Sequence, residues 1–262
     1  MKFKNGNMSE VFYDGNNIHR DLKPYSKTIH RLLKHLENKK IKFVPYFLGV
    51  DYENKQEILT FIDGNTIENY PDIDDIEHKI KNIKLIANML REYHDATLDF
   101  NHSEEDEWFL EYNGELDKEV ICHNDIAPYN ITFSNNKPIG IIDFDTACPA
   151  PRIWDIAYAL YRFVPLSRKV YVPDRNIYRE YSKESDSEER KVLINKFIDS
   201  YGDYKVEDVL KNVILRLESL VKLFDKECQK GNPVFINMKN EGHQELYIEE
   251  IKFIKENMND WI

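Results

Sequence analysis

The chain has 262 residues, 42% hydrophobic and 13% aromatic, which supplies a real core and excludes a disordered chain. A formal net charge of −11 argues against nucleic acid or an anionic membrane surface as partner; it reads as a plain soluble acidic surface or as one that favours cationic partners, the former preferred. Cys122, Cys148 and Cys228 are scattered and form no CxxC or Cys/His cluster, so no zinc site is expected. With no apolar signal core in MKFKNGNMSE and no bilayer-length apolar run, the expected location is cytoplasmic.

In chain order, MKFKNG, SEVFY and NNIHR read as short strands, punctuated by NGN and by Asp14-Gly15, a hairpin signal. A helix follows, with Ser26 as N-cap and Ile29, Leu32, Leu33 and Leu36 on one face. FVPYFLGVDY and QEILTFI give two more strands, ending at Asp63-Gly64. Residues 74–95 carry Ile76, Ile80, Ile83, Ile86, Ala87, Leu90 and Tyr93 at helical spacing. Residues 118–146 turn strand-like again through EVICH, NITFS and PIGIIDF. Helices are expected at WDIAYALYRFV, 187–201, 206–229 and 240–259, with the polar 172–190 stretch as a loop or mobile connection. The predicted class is α+β: a small β-rich lobe over 1–64 followed by a larger, mainly helical lobe over 65–262.

Two stretches share one frame of His, Asp and Pro: HRDLKPYS at 19–26, which resembles a protein-kinase catalytic loop, and HNDIAPYN at 123–130. Phosphoryl transfer needs a group that orients and deprotonates the attacking hydroxyl, and hard oxygen ligands for Mg²⁺ on the nucleotide phosphates. The second stretch, taken with IGIIDFDTA at 139–147, offers Asp125, the Asn130 amide and Asp143 for those tasks. The first stretch fails them. Ser26 stands where Asn130 stands in the second, and the residue corresponding to Asp143 is Lys39, whose charge would repel a metal. Asp21 is therefore not expected to be a catalytic base.

HxDxxPxN followed by an apolar strand ending in IDF resembles the aminoglycoside phosphotransferase family, the small-molecule relatives of protein kinases. The resemblance runs from the small lobe through the hinge and catalytic loop to the WDIAYAL helix. It implies a two-lobed kinase-like fold that binds Mg²⁺ with ATP or GTP. Asp125 would then be the catalytic base, Asn130 and Asp143 the metal ligands, His123 a brace for the loop, and Asp155 a buried acceptor holding it. Arg20, on the third strand, would contact the α- and β-phosphates; its other reading is a solvated edge-strand residue. The following helix should supply a Glu to orient that cation, yet Thr28, Ile29, His30 and Arg31 stand there. The Thr60 carbonyl and Ile62 amide would hold adenine, and NGNMSEV offers Gly6 alone, with the amides of residues 6–9, as phosphate cover.

Asp145 replaces the usual Gly of Asp-Phe-Gly, and the chain from Asp143 to Asp155 is too short for a peptide-docking segment, so a small-molecule acceptor is expected. An aminoglycoside-like molecule, and with it antibiotic resistance, is one reading; a metabolite alcohol such as choline, homoserine or a sugar is another. A third is a catalytically weak protein of the same fold that binds a peptide antibiotic and confers immunity. His94 and Asp95 read as a helix C-terminus or as an acid–base pair, the former preferred. Glu241, Glu245, Glu249 and Glu250 read as a solvated helix face or as contacts for a polycationic acceptor, again the former preferred.

Overall fold

The computed structural model describes residues 2–3, 11–67, 75–172, 175 and 177–262. The chain divides into two compact units, residues 1–68 with 89–155, and 69–88 with 156–262. It is a mixed α/β protein with a β-rich N-terminal part and a helical C-terminal part.

The first unit is built on a five-stranded sheet. Its strands β1 (Lys2–Phe3), β2 (Val11–Tyr13), β3 (Asn17–Asp21), β4 (Phe47–Asp51) and β5 (Gln56–Thr60) run in the order β1-β2-β3-β5-β4. The Asp14-Gly15 hairpin forms as predicted: the Asp14 carboxylate accepts from the amides of Asn16 and Asn17 at 2.8 Å each. Gly15 takes a φ of 111° there, which an L side chain rarely adopts. β3 lies antiparallel to β5 with Arg20 directly opposite Glu57. Helix α1 (Ser26–Asn38) follows β3 and buries Ile29, Leu32, Leu33 and Leu36.

Ser26 does not cap α1 as expected. Its hydroxyl accepts from the Lys23 amide at 2.9 Å, while the Tyr25 carbonyl takes the amides of Thr28 and Ile29. The turn through Pro24 thus moves the cap one residue earlier.

After β5 the chain passes Gly64, whose φ of 106° brings it so close to β7 (Ile131–Ser134) that an added Cβ would lie 2.7 Å from the Phe133 carbonyl oxygen. Asn65 and Phe133 then exchange two backbone hydrogen bonds, at 2.9 and 2.8 Å. Beyond helix α2 (Ile76–Thr97), β6 (Val120–Cys122) pairs with β9 (Cys148–Ala150), and β7 pairs with β8 (Lys137–Ile141). Asn135 and Asn136 turn between β7 and β8 with φ of 51° and 58°, the left-handed pair that suits a tight hairpin. Helix α3 (Arg152–Phe163) begins directly after β9.

Among its described residues the second unit is helical apart from the hairpin of β10 (Lys169–Val172) and β11 (Ile177–Glu180) and short connections. Helices α4 (Lys183–Tyr201), α5 (Val206–Gln229), α6 (Pro233–Asn240) and α7 (His243–Asn257) bury Leu193, Phe197, Val213, Leu217, Phe224 and Ile254. The 172–190 stretch is therefore not a loop throughout; residues 173, 174 and 176 lie outside the described residues, and the remainder is mostly ordered as β11 and the start of α4. Asp186 explains the helix start, since its carboxylate accepts from the Ser182 amide at 2.8 Å and from Arg179 at 2.7 Å. Helix α6 was not anticipated, although Asn232 accepting from the Val234 amide at 3.1 Å, with Pro233 in the first turn, is a standard start signal.

Glu241, Glu245 and Glu249 are exposed, but Glu250 is buried and departs from the expected solvated face. It accepts from the Arg168 amide at 3.4 Å, and burial raises its carboxyl to about 7. Nearby, the buried Arg190 guanidinium lies 4.3 Å from the Tyr181 ring centre and 5.1 Å from that of Trp261, and donates to the Ser167 carbonyl at 2.6 Å.

Candidate active site

The loop after β6 is held from beneath by one buried carboxylate. Asp155 accepts from the amides of His123 (2.7 Å) and Asn124 (2.8 Å) and from His94 Nε2 (3.1 Å). Burial pushes the Asp155 carboxyl up, but these hydrogen bonds and the neighbouring imidazoles outweigh it and hold the pKa below the usual carboxylate value. Burial keeps His94 below its ordinary pKa. His94 stands in the last turn of α2 as expected, where it is buried and donates to Asp155, and Asp95 pairs with Arg91 at 3.0 Å and Arg152 at 2.7 Å. His94, Cys122 and Asp155 bring ligand-type atoms within 4.8 Å of one another. Asp155 already serves the three donors, and the Cys122 thiol donates to the Pro151 carbonyl at 3.3 Å, so hydrogen bonding accounts for the grouping.

The Asp155 clamp fixes the loop's unusual backbone. Asn124 adopts a left-handed φ of 67°, and its side-chain amide donates to the Thr146 carbonyl at 3.0 Å. His123 braces the loop through both ring nitrogens: Nδ1 accepts from the Asp125 amide at 3.2 Å and Nε2 donates to the Ile142 carbonyl at 3.1 Å. These partners require the neutral Nε2–H tautomer, because an amide can only donate and a carbonyl can only accept.

Asp125 is half-buried. Its Oδ2 accepts from Asn130 Nδ2 at 2.9 Å, and its Oδ1 accepts from the Tyr129 hydroxyl at 2.8 Å. Asn130 Nδ2 also donates to the Asp125 carbonyl at 2.9 Å, so the amide nitrogen is committed and the amide oxygen is the atom suited to a cation. The Ile142 amide donates to the Asn130 carbonyl at 2.9 Å and sets Asp143 beside this loop. Asp143 is exposed and left-handed, with φ of 65°. A strained non-Gly backbone recurs at functional sites.

Arg20 closes the group. Its Nη1 donates to Asp143 Oδ1 at 3.0 Å and its Nη2 to Asp145 Oδ1 at 2.8 Å. Its Nε and Nη2 both reach Glu57 Oε1, at 2.8 and 2.6 Å. Burial opposes the guanidinium charge, but Asp145, Glu57 and Asp143 outweigh it and push the pKa further up. Burial raises the Asp145 carboxyl, with Asp143 and Glu57 adding to the rise against Arg20. Three carboxylates around one guanidinium leave surplus negative charge. Together with the Asn130 amide oxygen and the exposed Asp143 carboxylate, that donor set fits a hard divalent cation.

The acidic partner missing from the sequence reading is therefore Glu57, on the strand beside Arg20 and not on the following helix. Its signal was the antiparallel register, which a β3/β5 pairing sets but local sequence does not reveal. HRDLKPYS lies across β3 and the start of α1: His19 pairs with Asp14 at 2.9 Å, and Gln56 donates to Asp21 at 3.4 Å. Thr60 ends β5 and Ile62 follows it, both half-buried. Gly6 and residues 7–9 lie outside the described residues. No described helix is long and apolar enough to cross a membrane.

The expected resemblance stands. Residues 102–186 match the model of the phosphotransferase enzyme family. A trifolitoxin immunity protein from Rhizobium leguminosarum bv. trifolii is 30% identical over 160 residues, 60% of this chain and 59% of that relative. The chain thus spans less than two thirds of this curated relative's length. The streptomycin–ATP ternary complex of APH(2")-IIa is similar in structure, with a TM-score of 0.52 and 14% identity over 90% of each chain. Choline kinase LicA from Streptococcus pneumoniae is similar at a TM-score of 0.56, with 13% identity over 98% of this chain and 93% of that one. The structural likenesses show the kinase-like fold.

Proposed function

We propose that this chain is a kinase that transfers the γ-phosphate of a nucleoside triphosphate to a hydroxyl of a small, cationic acceptor. One observation carries the reading: Asp125 is fixed by Asn130 and braced by His123, with Asp143 one backbone hydrogen bond away. Asp125 orients the acceptor hydroxyl and takes its proton as the new O–P bond forms and the bond to the leaving diphosphate breaks. Asn130 and Asp143 hold Mg²⁺, which neutralises charge on the phosphates when bound. His123 and Asp155 keep Asp125 in place, Arg20 contacts the phosphates, and Thr60 and Ile62 present the backbone groups for the base. An aminoglycoside-like acceptor is supported by the streptomycin complex, which also supports ATP; a choline-type alcohol is supported by the choline kinase.

A second reading has its own support. The trifolitoxin immunity relative favours a protein that protects against a peptide antibiotic by binding it, with little transfer. Phosphate release or transfer, measured with Mg-ATP and Mg-GTP against a panel of amino alcohols, aminoglycosides, sugars and a peptide antibiotic, separates the two. Under the kinase reading an acceptor stimulates turnover, Asp143→Ala abolishes it, and Ser26→Ala leaves it intact. Loss of turnover in a folded Ser26→Ala variant would move the catalytic loop to residues 19–26 and refute the assignment.

A further inference from the structure

A cation that contacts phosphates works only when its side chain is held in one orientation, and kinases are expected to use a helix Glu for this. This chain has no Glu at that place on α1, and the geometry replaces it with two residues. Glu57 is almost fully buried, at 2% exposure, and both its oxygens are used. Oε1 takes the Nε and Nη2 hydrogens of Arg20 at 2.8 and 2.6 Å, so one edge of the guanidinium is fixed. Oε2 meets His30 Nε2 at 2.6 Å, and since a carboxylate only accepts, His30 is the donor. His30 is itself immobilised by stacking on Phe47, with ring centres 3.8 Å apart and planes 13° from parallel. Burial pushes the Glu57 carboxyl up, but His30 and Arg20 overcome it and hold the group below its ordinary value.

We infer that Glu57, anchored by His30, is the positioning acid for Arg20, so that β5 and α1 together perform the task of a single helix Glu. This rests on the nucleotide-binding reading above. With Nε turned to Glu57, Nη1 is left on the side of Asp143, where metal-bound phosphate would lie. The sequence position expected to carry a Glu carries a residue that holds one.

The test is the affinity of the full chain for a fluorescent ATP analogue with Mg²⁺, with thermal melting to establish folding. Glu57→Gln removes the carboxylate charge that fixes the guanidinium edge and is expected to weaken binding about tenfold, which is about 1.4 kcal/mol. His30→Phe keeps the stack on Phe47 but cannot donate, and is expected to weaken binding several-fold. His30→Gln keeps a donor and is expected to stay near the unsubstituted affinity. A purely structural role would not distinguish Phe from Gln in this way. If Glu57→Gln fails to fold, the His30 pair decides alone. Unchanged binding in folded Glu57→Gln and His30→Phe overturns the inference, as does equal loss in His30→Phe and His30→Gln. Absence of nucleotide binding in the unsubstituted chain is a separate result: it refutes the kinase reading and takes this inference with it.

Discussion

Replacing Asp155 by Ala removes the group on which the 123–130 loop rests. The carboxylate is fully buried, as are His94 and His123, and it serves three donors at 2.7, 2.8 and 3.1 Å. Alanine leaves those donors without an acceptor and without water. Each unsatisfied buried donor costs about 1–3 kcal/mol, so the loss over three donors is about 3–9 kcal/mol before relaxation. Folding stabilities are about 5–15 kcal/mol, so the loss is a large fraction of the total and the variant should unfold at a much lower urea concentration. Urea unfolding followed by tryptophan fluorescence at pH 7 measures this. The pH dependence adds an independent check. Asp155 has a folded pKa below its ordinary value, so its stabilisation is complete above that ordinary value and lost as pH falls through the folded one. His94 has a folded pKa below its ordinary value of about 6.5, so its neutral form favours the fold above that pH and this too is lost in acid. Both groups make the unsubstituted protein weaker in acid, and Asp155→Ala should flatten the carboxylate part of that fall. A cost below about 1 kcal/mol at pH 7 would refute the claim that Asp155 carries the loop.

Two further outcomes follow from buried groups. Glu250, raised to about 7 by burial, binds a proton in the folded state that the unfolded chain releases near its ordinary 4.5, so stability should fall as pH rises between those values. Glu250→Gln should therefore be more stable than the parent at pH 8, by about 1–3 kcal/mol, and equal to it near pH 5; thermal melts across that range would show it. Gly140→Ala places a Cβ 2.4 Å from Ile62 Cγ2 and 2.6 Å from Thr132 Oγ1. Overpacking of that kind costs about 1–3 kcal/mol, visible as a lower melting temperature, and it should also weaken nucleotide binding by displacing Ile62.

The sequence alone carried the reading wherever the signal was local. Periodicity placed α1 and its buried face, the Asp14-Gly15 turn set the first hairpin, and apolar runs ending in polar clusters put Asp125, Asn130 and Asp143 at strand ends. The requirements of phosphoryl transfer favour residues 123–130 over the better-spelled 19–26 as the proposed catalytic loop. The kinase-like fold class and family resemblance came with those motifs. What failed was what depends on partners distant in sequence. The helix-end place of His94 was legible, but not its acceptor, because Asp155 lies 61 residues away. Glu250 looked solvated because helical spacing fixes which residues share a face, but not what that face meets. The partner of Arg20 was sought along the next helix, whereas a strand register 37 residues on brought Glu57 opposite it and left His30 to hold it from α1. Local sequence determines which backbone forms and which chemistry is present; only the packed sheet decides which charges meet, because register and burial are properties of pairs and not of single segments.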